Sequence, residues 1–303
     1  MATVNTLTDL TPDLFAKLDV VSHELIGLIP AISRDGGVER AAKDQVVRSF
    51  VAPDVTASDL TPGQLAANSG GQTFANKTIT IDKVRKVEIL WNGEEQQGMN
   101  HGPQYRNMLL DQFEQGFRTL ANEIEADLAA KYVEASNAVV PAGTLLFDAA
   151  NYSDAANANR ELNLNGAPQG NRSLILSNAA AARFRGNAQY TGANTAGNEA
   201  MLRQGVMLDQ FGMMIRESNQ INDVARGTGD SATTDNAGYA IGATVLTLAS
   251  AGTGTIVAGD ALTFAGDANV YVVASGDADV SNGGTITLAA PGLRVAMSAA
   301  TKA

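Results

Sequence analysis

Large apolar residues recur along Pro103 to Ala135 at a spacing that a helix aligns. Tyr105, Leu109, Phe113, Phe117, Leu120, Ile124, Leu128 and Tyr132 fall four, four, four, three, four, four and four apart. The spacing predicts one long amphipathic helix over 103–135 whose stripe packs into a core. Asp111, Glu114, Arg118, Glu123, Glu125, Asp127, Lys131 and Glu134 occupy the other faces and are expected in solvent. Pro103, after Gly102, suits a first helical turn. At 1.5 Å per residue the element is roughly 50 Å long. Gly116 in its interior costs about 1 kcal/mol relative to alanine and is expected to mark a bend or a close crossing.

Upstream, Thr11, Pro12 and Asp13 form a capping signal before Leu14, Leu18, Val21 and Leu25, which predicts a short helix ending near Pro30. Residues 34–43 carry Gly36, Gly37 and mixed charge, a surface arm without a core. Two strand-like runs follow, Gln45 to Ala52 and Thr78 to Trp91, the second with Ile79, Ile81, Val87, Ile89 and Trp91 on one face. Together they predict a long hairpin arm. Lys83 and Arg85 interrupt its apolar face midway, where the arm is expected to leave the body. The tip, Pro53 to Gly71, offers Leu60 and Leu65 against Asp54, Asp59, Gln64 and Asn68. So long a loop is expected to contact a partner, a flexible insertion being the alternative.

Past the long helix, Pro141 to Ala150 predicts a turn with a short apolar run. Ser153 to Leu164 predicts a helix through Ala155, Ala158 and Leu162, and Ser173 to Leu176 a buried strand. Ser177 and Asn178 open a small-residue helix to Phe184. Glu199 to Asn219 predicts a helix and then a strand, its methionines filling core gaps. This alternation predicts a mixed α/β unit. From Gly227 the composition shifts to Gly, Ala, Thr, Asp, Ser and Val. Strands are expected at Thr244 to Ala249, Ala261 to Phe264, Val270 to Ser275 and Thr285 to Ala290, a small antiparallel β unit entered through a polar linker at Val224 to Thr234.

Composition narrows the chemistry. The chain has 303 residues, no cysteine, two histidines, 30 glycines, 5% aromatic residues and a net charge of −11. It is long enough for two or three compact units. Without cysteine there is no disulfide framework, thiolate metal site or thiol nucleophile. His23 and His101 have no partner nearby in sequence, so a solvated or capping imidazole is expected. The acidic balance disfavours a surface that grips phosphates, although it leaves enclosing nucleic acid open. No phosphate loop, dinucleotide fingerprint or nucleophile elbow is present. Asp260, Asp267, Asp277 and Asp279 lack the spacing of a calcium loop and are expected in turns. No apolar run is long enough for a bilayer and no basic, apolar leader opens the chain, so a cytoplasmic origin is expected.

The order of parts carries a resemblance. An N-terminal helix with Val20-Val21-Ser22-His23-Glu24-Leu25-Ile26-Gly27-Leu28-Ile29-Pro30, a hairpin arm with a polar tip, one very long helix, a mixed α/β unit and a β-rich insertion together resemble the major capsid proteins of tailed double-stranded DNA bacteriophages. More specifically the chain looks like the P-twenty-two-like coat protein family, over about residues 5–295. The resemblance implies an α+β Hong Kong 97-like capsid fold with an inserted small β-barrel domain. It implies an N-terminal arm at 1–45, an extended hairpin loop at 46–91 and a peripheral domain at 92–149 whose spine helix is 103–135. The axial domain falls at 150–226, the insertion at 227–292 and a return to the axial domain at 293–303. The implied role is structural, not enzymatic. Copies join as pentamers and hexamers into an icosahedral head enclosing double-stranded DNA, with a scaffolding protein, a portal and optionally a decoration protein. Assembly is expected in the bacterial host cytoplasm and residence in the virion, with no cofactor, metal or membrane. Candidate contacts between subunits are Asp54, Asp59, Leu60, Leu65, Lys83 and Arg85.

The family pattern continues past the insertion with further axial strands and a strand returning to the peripheral sheet. This sequence stops at Ala303, so either a truncated chain or replacement of the closing strands by earlier segments is expected. Two other readings stay open: a self-assembling surface protein of adhesin or surface-layer type, suggested by the Ala, Gly, Thr and Asn bias, and an enzyme with a site of scattered Asp, Glu and Arg.

Overall fold

The computed structural model describes residues 26–33, 42–53, 55, 57, 59, 62–63, 71, 73–94, 105–141, 145–148, 152–187, 209, 211–235 and 237–298. The chain divides into two compact units, Ile32–Gln96 and Met1–Ala31 with Gln97–Ala303. The helix expected before Pro30, both histidines and the helix expected near Met201 lie largely or wholly outside the described residues. Of the first helix only 26–30 is described, and it shows the start of a single 3-10 turn, Ile29–Ala31.

The smaller unit contains β1 (Val46–Val51) and β2 (Ala75–Thr80), an antiparallel ribbon with Val46 opposite Thr80 and Val51 opposite Ala75. Its base is tied by Asp44 N–H to the Ile81 carbonyl at 2.8 Å and by Ile81 N–H to the Gln45 carbonyl at 3.1 Å. The second strand is shorter than its alternation implies. It stops at Thr80, and residues 81–92 carry no ladder. Asp82, Lys83, Arg85 and Lys86 follow in quick succession there and remove the unbroken apolar face that would reward pairing.

In the larger unit, α1 (Tyr105–Ala129) continues as a 3-10 segment, Ala130–Glu134, and ends at the extended Ala135. Good helix formers fill it, and the Glu114–Arg118 pair at 3.2 Å spans one turn. The packing differs from the stripe. Ile124 is 50% and Tyr132 41% exposed, whereas Glu125, expected in solvent, is 1% exposed. The reason is what lies beside it: residues 27–29 and the end of β4 (Met213–Ser218) both meet the helix on the flank that carries Glu125.

The α/β part follows its pattern closely: α2 (Ser153–Leu164), β3 (Arg172–Ser177), α3 (Asn178–Arg185) and then β4. Ser177 caps α3 through the Ala180 N–H, and Arg183 and Arg185 sit in its last turn, where cations suit the helix dipole. β3 and β4 pair in parallel, Arg172 opposite Met213 and Ser177 opposite Ser218. One face of the pair, with Leu174, Leu176, Met213 and Ile215, packs with Phe147, Ala155, Ala181 and Phe184 into a core. Phe147 meets Phe184 edge-on at 5.1 Å. Its backbone is left-handed (φ 59), and the Asp154 carboxylate, accepting its N–H at 2.7 Å, holds it there.

The β unit is one antiparallel sheet in the order β5 (Val245–Leu248), β8 (Gly284–Leu288), β7 (Val270–Ser275), β6 (Ala261–Thr263). Alternation decides its inner face: Leu246 and Leu248 are buried while Val245 and Thr247 are exposed. Leu246, Val273, Val280, Ile286 and Leu288 centre its core. From Gly227, whose N–H donates to the Asp260 carboxylate, the expected linker is part of this unit. Asp230 bridges Thr253, and Thr234, 5% exposed, bridges Leu248. Residues past Gly292, expected to return to the axial domain, also close it, for Leu293 is in the core and Met297 bridges Tyr239. Apolar side chains at 293 and 297 gain more from this core than a polar tail would.

Candidate functional site

The ribbon has exposed apolar side chains on and around it, and none of its residues is among the buried core of the described residues. Every residue of β2 is exposed. Phe50 is 79%, Val55 72%, Phe74 64%, Val84 64% and Leu90 87% exposed. Phe50 lies in β1 and the others flank the paired strands. Scattered apolar side chains are ordinary on a surface, but a series on and around a two-stranded ribbon is not, since such a ribbon alone is marginal in water. Of the candidate contacts, Asp59, Lys83 and Arg85 are exposed, in the tip and in the stretch after β2, with the Lys86–Glu88 ion pair beside the two cations. Asp54, Leu60 and Leu65 lie outside the described residues.

A second constellation was not legible in the pattern. The Glu125 carboxylate accepts the Ile29 N–H at 2.7 Å, the Leu28 N–H at 2.9 Å and the Ser218 hydroxyl at 2.7 Å. Ser218 Oγ in turn accepts the Gln220 N–H at 3.3 Å. Three donors to one buried anion replace the water it gave up. Gly27, next to this anchor, has no room for a side chain, because a Cβ would lie 2.8 Å from the Glu217 carbonyl oxygen. Residues 27–29, α1 and β4 therefore converge on one carboxylate. Its sequence signal is slight: Ala121 and Ala129, one turn to either side, are small enough to let backbone approach.

Arg172 forms a comparable knot. It is 8% exposed, and its guanidinium donates to Asn159 Oδ1 at 2.5 Å, Asn163 Oδ1 at 2.9 Å, the Ala167 carbonyl at 2.5 Å and the Pro168 carbonyl at 2.9 Å. All four acceptors are neutral and gather around the C-terminal end of α2, whose dipole favours a cation. Asp260, Asp267, Asp277 and Asp279 of the β unit act in turns. Asp260 accepts the Gly227 and Val257 N–H groups, Asp277 that of Asp279, and Asp279 that of Ser281. Asp267 accepts the Asn269 N–H and, at 2.5 Å, the Tyr271 hydroxyl. Burial raises the Asp267 pKa, but these donors and the Arg294 charge outweigh it and hold the carboxyl below its ordinary range. Burial, then the bond to Asp267, pushes the Tyr271 phenol up.

Beside the end of α1 runs an open groove of about 540 Å³, with Ala126, Ala129, Tyr132, Ile221 and Val224 along it and Asp223 as its carboxylate. Such a lining seats apolar side chains and supplies no acid–base pair. Among the described residues no helix is long and apolar enough to cross a membrane.

No family model matches the chain, and no curated protein matches it. Among solved structures the chain is similar to one of Mycobacterium phage Che8, at 22% identity and a TM-score of 0.47, over 60% of this chain and 64% of that one. It spans a little under two thirds of the length of that chain. It is also similar to a chain of the capsid structure of the cyanophage P-SCSP1u, at 14% identity and a TM-score of 0.43, over 86% of this chain and 90% of that one.

Proposed function

We propose that this chain is the repeating subunit of a bacteriophage head, a major capsid protein of Hong Kong 97-like architecture with a P-twenty-two-like insertion that starts at 227 and is closed by Leu293 and Met297. Its copies join as pentamers and hexamers into an icosahedral shell around double-stranded DNA, with scaffolding, portal and decoration proteins as further partners. The observation that carries this reading is the ribbon with the segments that flank it, where Phe50, Val55, Phe74 and Leu90 are each more than 60% exposed. Burying an apolar side chain of that size contributes about 1.5–3 kcal/mol. Four of them set against a neighbour supply roughly 6–12 kcal/mol per contact on the same scale, before ordering costs. A surface of that kind calls for a partner, and the partner available in every closed homomeric assembly is another copy. The tip residues Asp54, Asp59, Leu60 and Leu65, with Lys83 and Arg85, make the contact. The net charge of −11 suits a wall that encloses DNA without adhering to it.

Electron microscopy of the purified chain, with and without its genomic neighbours, tests the proposal. Closed shells are expected, and deletion of 54–68 should leave a soluble, folded subunit that forms none. Normal shells from the deletion variant refute the assignment of the tip. Flat sheets, or discrete particles under every assembly condition, refute the capsid reading itself.

A further inference from the structure

Among the described residues, Tyr132 and Arg294 make two side-chain contacts that seat the β unit on the end of α1 and the turns beside it. In the first, the Tyr132 hydroxyl faces the Ala258 carbonyl at 3.4 Å and its ring lies over Gly259. Gly259 has φ +94, and a Cβ there would come 2.1 Å from Tyr132 Cε2, so the ring occupies the place of a side chain. In the second, Arg294 reaches out of the β unit. Its guanidinium donates to Asn165 Oδ1, just past α2, and to the Ser136 carbonyl at 3.2 Å, just past the 3-10 segment. The backbone of Arg294 is fixed from behind, since its N–H donates to the Tyr271 hydroxyl at 3.0 Å and that hydroxyl donates to Asp267. The covalent connection through residues 221–229 has no regular structure, and Asn222 to Arg226 are exposed. Small, polar, part-exposed contacts beside an irregular connection are the setting in which one body turns against another.

We propose that Arg294 and Tyr132 form a two-point latch that sets the angle of the β unit on the end of α1, and that opening it lets the unit swing as a rigid body about residues 221–226. Both are positioning residues. This inference stands on contacts within one chain and does not depend on the capsid reading.

The chain has no cysteine, so Asn122→Cys and Ala265→Cys, both at exposed positions, take a pair of nitroxide labels without background. Pulsed electron–electron resonance on the full chain should give one narrow distance distribution. Arg294→Ala with Tyr132→Ala should at least double its width or add a second population, while the far-ultraviolet circular dichroism stays unchanged. Asn165→Ala should broaden the distribution less than Arg294→Ala, which also removes the bond to the Ser136 carbonyl, and adding Asn165→Ala to Arg294→Ala should change nothing further, because the bond they share is already gone. Arg294→Lys, which keeps a donor for Asn165, should restore part of the narrow population. Gly259→Ala, which wedges the Tyr132 ring off its seat, reaches the same state should Tyr132→Ala fail to fold. A distribution superimposable on the parent's in the double variant overturns the proposal, and so do additive effects of Asn165→Ala and Arg294→Ala.

Discussion

Replacing Glu125 tests whether one carboxylate holds three segments together. The variant Glu125→Ala strands the Leu28 and Ile29 N–H groups and the Ser218 hydroxyl in a place that is 1% exposed. Each buried group left without a partner costs about 1–3 kcal/mol. The hydroxyl can rotate toward another acceptor, so the sum should fall near 3–5 kcal/mol, the range found when one partner of a buried charged set is removed. For a unit of roughly this size each kcal/mol shifts the thermal midpoint by about 2–4 °C, so a drop of roughly 10 °C is expected. Glu125→Gln keeps one carbonyl acceptor but loses the charge and sets an NH2 group against a donor, and should cost about 1–2 kcal/mol on the same scale. Thermal unfolding gives the midpoint, and hydrogen exchange resolved at Leu28 and Ile29 locates the effect. Both amides should be slow in the parent and fast in Glu125→Ala. An alanine variant that melts within about 1 °C of the parent, with exchange at those amides unchanged, refutes the anchor.

Three further outcomes follow from the geometry. Leu246→Ala, at a position 0% exposed in the β core, should lower stability by about 2–5 kcal/mol in urea titrations, whereas Leu90→Ala, 87% exposed, should move it by less than about 0.5 kcal/mol and reduce shell yield instead. Arg172→Met removes four hydrogen bonds at the end of α2 and should speed exchange of the Asn163 to Gly166 amides, with a loss of about 2–4 kcal/mol. The Asp267–Tyr271 pair gives stability two pH limbs. The Asp267 pKa is lowered from 3.8, so its contribution is present above that pH and lost as pH falls through the lower folded value. The Tyr271 pKa is raised from 10.0, so stability is intact below that pH and lost as pH rises toward the folded value. Tyr271→Phe should flatten the alkaline limb of a plot of thermal midpoint against pH.

Local chemistry was well written in the sequence, and long-range chemistry was not. Ser177 announces α3 because a capping hydroxyl acts within three residues, and the alternation of Leu246 and Leu248 announces an inner face because its period is two. The extent of the long helix was equally plain. Its packing was not, because the partners of Glu125 lie 93 to 97 residues away and no periodicity encodes them. The polar, glycine-rich run at 227–234 looked like a connection, since its composition is that of a loop. Its backbone nonetheless finds a ladder with Thr253 and Thr255, which side-chain composition does not report. The end of β2 at Thr80 was hidden for the opposite reason: Val87, Ile89 and Trp91 keep a strand's rhythm after the charges have removed its partner.

The β unit fastens its own margins: Asp230 to Thr253 near its entry, Tyr239 to Met297 near its exit. A piece cut at 227 and 297 therefore carries its whole core, while one cut at 244 and 290 forfeits Leu293, Met297 and the Thr234 edge. Closed in this way, the unit is portable. Moved onto another scaffold it would regain the seat it has here from a ring over Gly259 and two carbonyl-type acceptors within reach of Arg294, so a designer can graft it with its core intact.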